Sequence, residues 1–229
     1  MLSAIAIVPS APVMVPELAS AAAAETAELR AAAMTAAANL PLRWIAVGTA
    51  PTDGVYGAAS AGTFAGYGVD VAVGLSAASR GAQPVAMPLC VLIAAWLRGV
   101  AAPRAGIEAH VYRADQDAGQ AVALGAQLRA QIDTAGDDVG VLVVADGANT
   151  LTAAAPGGYD PQSLPIQAAL DDALAAGDTD ALARVPDTVV GRVAYQVLAG
   201  LAGPGPRSAD ELYRGAPYGV GYFVGAWTP

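Results

Sequence analysis

Val139-Gly140-Val141-Leu142-Val143-Val144-Ala145 is apolar throughout and stops at the polar pair Asp146-Gly147. An uncharged run of this length, rich in β-branched side chains, suits a strand buried on both faces, as in a parallel sheet. Asp-Gly then ends it in a turn. Met1 to Val8 repeats the pattern, with Leu2, Ile5, Ile7 and Val8 ahead of the turn-rich Pro9-Ser10-Ala11-Pro12. Arg43 to Thr49 gives a third buried strand around Trp44, Ile45 and Val47. It opens into the loop Gly48 to Gly54, and loops at the carboxyl ends of such strands are where open α/β sheets place ligands.

Further strands are expected at Val69 to Val73, Ile107 to Tyr112 and the aromatic Tyr218 to Trp227. Helices are expected from Pro16 to about Asn39, Met87 to Val100, Asp115 to Ile132, Ser163 to Ala176, Asp178 to Arg184 and Thr188 to Ala202. Pro16 stands near the first turn of the first helix, with Glu17, Glu25 and Glu28 toward the positive end of its dipole. Asp178 and Asp187 sit where caps are needed. Residues 54–68 are rich in Gly, Ala and Ser but carry Tyr56, Phe64 and Tyr67, which suits an ordered excursion over the sheet edge. Alternating strands and helices predict one α/β domain over residues 1–229, its central, mostly parallel or mixed sheet covered by helices on both faces.

Composition narrows the function. The net charge is −9, there is no lysine, and the 11 arginines are scattered singly. Nucleic acid needs a concentrated basic face and is not an expected partner. The longest apolar candidate for a membrane span, Pro84 to Leu97, is shorter than the about 20 residues required and contains Pro88. Met1 to Ala24 lacks a basic n-region and is broken by Pro9, Pro12 and Pro16, so the expectation is a cytoplasmic protein. Cys90 is the only cysteine and lies in an apolar run, which suits a small core residue. The absence of lysine excludes a Walker loop, and residues 57–68 lack the spacing of a dinucleotide fingerprint.

Several segments carry a resemblance. Ala6-Ile7-Val8-Pro9-Ser10-Ala11-Pro12-Val13-Met14-Val15-Pro16-Glu17 resembles the strand-loop opening of the class III extradiol ring-cleaving dioxygenase catalytic subunits. Val143 to Thr150 is similar to that family's Gly-Asp-leading loop, and Tyr213 to Val224 to the closing segment of its actinobacterial members. Pro156 to Asp160 and Gly191 to Gly200 match in character. The resemblance spans nearly the whole chain and implies the family's fold.

Active members hold Fe(II) with two histidines and a glutamate, and use further histidines as acid or base. This chain departs from that pattern. Ser10 occupies the first ligand position, no histidine lies between Thr49 and Asp53, and the histidine of the third loop falls near Asn149 or Thr150. A hydroxyl is a poor ligand for ferrous iron beside imidazole and carboxylate. The one histidine, His110, lies in the alternating run Glu108 to Tyr112 and matches none of the ligand positions.

The resemblance therefore implies a metal-free, non-catalytic relative with no cofactor, binding a small molecule or a protein partner in the vacated cleft. An enzyme of altered chemistry is the alternative, with Asp146 or Asp53 as acid or base and Ser10, Asn149 and Tyr159 as hydrogen-bonding groups. Asp53, Asp146, Asp160 and Glu17 are also placed to offer carboxylates to Mg²⁺, although Asp53 and Asp146 precede glycines and suit turns better. A third reading is a structural or subunit-interaction protein, possible as a homo-oligomer, using the C-terminal strand and residues 54–68.

Overall fold

The computed structural model describes residues 1–229 apart from the side chain of Ala21. Four parallel strands form its centre: β1 (Leu2–Val8), β2 (Arg43–Ala50), β6 (Gly106–Arg113) and β7 (Val139–Val144). Antiparallel strands complete the edges, with β3 (Gly54–Tyr56) on one side and β9 (Tyr222–Thr228) and β8 (Ser208–Gly215) on the other. The seven-stranded mixed sheet runs β3-β6-β2-β7-β1-β9-β8. A two-stranded hairpin of β4 (Ala61–Thr63) and β5 (Ala72–Gly74) stands apart from it.

Alternation of side chains along each central strand builds two cores. Ala6, Val8, Trp44, Ala46, Leu142 and Val144 face α2 (Ala27–Ala38) and α3 (Leu89–Ala101). Ile5, Ile7, Ile45, Val47, Val141 and Val143 face the other layer. That layer holds α4 (Ala118–Ala135), α5 (Ser163–Ala176), α6 (Thr179–Ala183) and α7 (Arg192–Ala202). The result is the expected α/β fold, with helices on both faces. Among the described residues no helix is long and apolar enough to cross a membrane.

Several expectations are corrected. The helix expected from Pro16 to Asn39 is broken into α1 (Pro16–Ala19), a 3-10 turn (Ser20–Ala23) and α2. Alanine supplies propensity but no strong apolar stripe, and the buried Thr26 hydroxyl donates to the carbonyls of Val13 and Ala22 at 3.1 Å each, pinning the break. The final helix starts at Arg192 rather than Thr188, and Asp187 caps nothing. It pairs instead with the Arg192 guanidinium at 2.8 Å. Asp178 does cap α6, accepting from the Ala181 N–H at 2.9 Å. The last strand begins at Tyr222, because residues 216–221 form a turn.

β8 is a strand that periodicity did not reveal. Its Asp210, Glu211 and Arg214 interrupt any apolar alternation, yet polar residues suit an edge strand whose outer rim meets water. Residues 54–68 are ordered, but rather than crossing the sheet edge they supply it as β3 and then leave it for the separate hairpin as β4. Tyr222, Phe223 and Trp227 are buried in the core, and the Trp227 indole donates to the Leu174 carbonyl at 2.9 Å. Cys90 is also a core residue, and burial pushes its thiol up to about 12. It fits because Gly48 on β2 has no side chain: a Cβ there would press into the cysteine.

Candidate functional site

Chain direction marks the place to look. β1 and β7 are adjacent and parallel as far as Val8 and Val144, and the Ala145 N–H extends the ladder by donating to the Val8 carbonyl at 2.9 Å. Beyond this point the chain leaves β1 toward the α2 layer, and leaves β7 toward the α5 layer. Such divergence at the carboxyl ends of two neighbouring strands marks the usual ligand position in an open α/β sheet.

Ser10 and Asp146 stand together just beyond these strand ends. The Ser10 backbone N–H donates to Oδ1 of Asp146 at 2.8 Å. The Asp146 carbonyl accepts from the Gly191 N–H at 2.9 Å, which ties the loop to the start of α7. Protein surrounds the carboxyl closely although the residue keeps a solvent-accessible edge. Desolvation pushes its pKa up to about 7, against the lowering effect of the Ser10 N–H. Near neutral pH it therefore holds a proton part of the time, as an acid–base group must. Tyr195 and Tyr222 lie close enough for the Asp146 charge to raise their phenols further, after burial has raised them most. The Tyr195 hydroxyl donates to the Ala145 carbonyl at 3.0 Å.

A buried polar relay fixes the next residues. Gln167 Oε1 accepts from the Ala148 N–H at 2.8 Å, and its Nε2 donates to Asp171 Oδ1 at 2.8 Å. The amide lies between Gly147 and Gly221, where a Cβ on either would overlap it. Burial raises Asp171 to about 6, with the Gln167 amide pulling the other way. Sequence reasoning missed Gln167, Asp171 and Tyr195. The signal available was a polar pair at i and i+4 within the stripe that carries Leu170 and Leu174.

The remaining candidates do not join this cluster. Asn149 follows in the same loop, but its carbonyl accepts from Gly157 N–H at 2.9 Å and holds a local turn. Tyr159 is 55% exposed. Asp160 caps the approach to α5 by accepting from the Gln162 N–H at 2.9 Å, and Glu17 is exposed on α1. Asp53 lies beyond β2, at the end of β6, where it accepts from the Arg113 N–H at 2.8 Å. It lines a groove of about 400 Å³ with Val55, His110, Tyr112 and Leu124, and burial followed by the Asp53 charge raises Tyr112 to about 12. The two aspartates offered as alternative acid–base groups thus follow different strands, in different surroundings.

His110 is level in register with Val47 on β2, and Val47 with Val143 on β7 and Ile7 on β1. Three strand spacings of ~4.8 Å put it roughly 14 Å from β1. Its Nε2 meets Glu108 Oε1 at 2.8 Å. Among the described residues no three His, Cys, Asp or Glu side chains converge as a metal-ligand set.

The fold has a solved counterpart. An uncharacterized protein from Escherichia coli K12 matches with a TM-score of 0.59 over 98% of this chain and 99% of its own, at 10% identity. At that identity the likeness extends to the fold alone. No family model and no curated relative matches the chain.

Proposed function

We propose that the chain is a metal-free, non-catalytic relative of the class III extradiol dioxygenases, working in the cytoplasm, whose crevice between the ends of β1 and β7 holds a small molecule or a protein partner. One observation carries the reading: the only imidazole, His110, is separated from Ser10 by β2 and β7, while Asp146 already accepts the Ser10 N–H. A lone carboxylate beside a serine does not fit ferrous iron, which takes two imidazoles and a carboxylate in a facial triad. The fold rule that puts ligands where connections diverge supports the crevice as the binding place.

The test is anaerobic titration of the purified chain with Fe(II), followed by catechol and dioxygen. Expected are no stoichiometric iron retained after desalting and no ring-opened product. Stoichiometric iron with ring opening would overturn the reading.

The elevated pKa of Asp146 favours a second reading, an acid–base enzyme using that carboxyl alone. Its mark would be a turnover that follows the protonation of Asp146 and disappears in Asp146→Asn.

A further inference from the structure

A second polar feature lies at the opposite end of the sheet. The β4–β5 hairpin and residues 76–84 stand over the end of α3 and enclose a cavity of about 440 Å³, within the ~300–1,000 Å³ typical of small-ligand sites. Val71, Val73, Pro84, Trp96, Val100 and Pro103 give it apolar walls. Arg80 and Arg98 also line it, and no aspartate or glutamate does.

Arg98 is the unusual member. It is 8% exposed, and its guanidinium is fixed by backbone carbonyls: Nε donates to Gly74 at 2.9 Å, and Nη1 to Pro103 at 2.9 Å and Ala105 at 3.4 Å. These bonds leave Nη2 without a protein acceptor among the described residues, and Nη2 is not sealed from solvent-sized probes. No carboxylate pairs with this guanidinium. Folded proteins almost always pair a buried charge, because an isolated one loses its hydration without a counter-ion. Arg80 brings a second positive charge close enough to disfavour the Arg98 cation, after burial itself. In a chain of net charge −9, two arginines without an acid form a local trap for anions.

We propose that this cavity binds a small organic monocarboxylate with an apolar body. The carboxylate sits on Arg98 Nη2 and Arg80, and the hydrocarbon lies against Trp96, Val73 and Val100. A carboxylate fits better than a phosphate because two of the three guanidinium nitrogens are already committed to backbone. A strongly hydrated dianion would find one rigid donor and an apolar wall. The site is independent of Ser10 and Asp146, neither of which lines the cavity.

The probes are 2-naphthoate, its neutral analogue 2-naphthamide, and inorganic phosphate, followed by calorimetry and by tryptophan fluorescence. The expected result is saturable binding of one 2-naphthoate per chain, with the amide at least about tenfold weaker, since it forgoes a charge-assisted bond, and phosphate weaker than naphthoate. Arg80→Ala changes an exposed side chain and is expected to weaken 2-naphthoate several-fold. Gly99→Phe is expected to abolish binding, because Gly99 lines the cavity and a Cβ there meets only open space. Circular dichroism of both variants establishes that they are folded. Absence of saturable 2-naphthoate binding, equal affinity for acid and amide, tighter binding of phosphate, or an affinity unchanged by either folded variant would overturn the proposal.

Discussion

Gly200→Ala is expected to destabilise the protein by about 3 kcal/mol, although alanine is the better helix former by about 1 kcal/mol in an open helix. α4 and α7 touch backbone to backbone through a reciprocal pair of glycines. A Cβ at Gly200 would overlap the Val122 carbonyl oxygen, and one at Gly125 would overlap that of Val197. Neither carbonyl can move aside, because each belongs to a helix that packs on the sheet. Relief requires the helices to separate, which loosens Leu128, Ile132, Val197 and Leu201 in the second core. Urea denaturation of the two proteins measures the difference. An unchanged or raised midpoint would contradict the close crossing.

Asp146→Asn is expected to raise stability at pH 8 by about 2 kcal/mol, and to leave it almost unchanged near pH 4. The native carboxyl has its pKa lifted to about 7 by burial, from an ordinary value near 3.8. Between those values the folded chain binds more protons than the unfolded chain. Stability contributed by this group therefore falls as pH rises through the window, and the loss is complete above pH 7. The full shift corresponds to at most about 4 kcal/mol, and the solvent-accessible edge of the residue brings the expectation down to about half of that. Asparagine keeps an oxygen for the Ser10 N–H and carries no charge. For a chain of this size the gain is a rise in Tm of roughly 4–8 °C at pH 8. Asp171, raised to about 6, keeps a shallower slope between pH 4 and 6 in the variant. Equal slopes for the two proteins from pH 4 to 8 would sink the assignment.

Much of the architecture was legible because burial on both faces leaves a simple mark. The strands around Ile5, Val47 and Val143 carry uninterrupted apolar runs, and they are the centre of the sheet. Edge elements were harder to see. β8 carries adjacent acids at Asp210 and Glu211 and no apolar alternation, so nothing in its pattern marks a strand, and its pairing with β9 makes it one. The alanine-rich segment misled in the other direction, since propensity extends a helix through residues where the Thr26 hydroxyl anchors a break.

At the site, Ser10 and Asp146 were legible as residues that follow buried strands. Their juxtaposition depends on β1 and β7 being neighbours, which residues 136 positions apart do not announce. The same limit hid Tyr195, whose hydroxyl partner Ala145 lies 50 residues away. It also made Asp53 look equivalent to Asp146, although β2 lies between the strand ends that position them. Arg98 was one of several scattered arginines until the hairpin and α3 closed around it.

Crystals grown under argon with excess Fe(II), with anomalous diffraction recorded at the iron absorption edge, test the central claim most directly. The account predicts no ordered peak between Ser10 and Asp146. A fully occupied iron there, coordinated entirely by side chains of one copy of the chain, would contradict it.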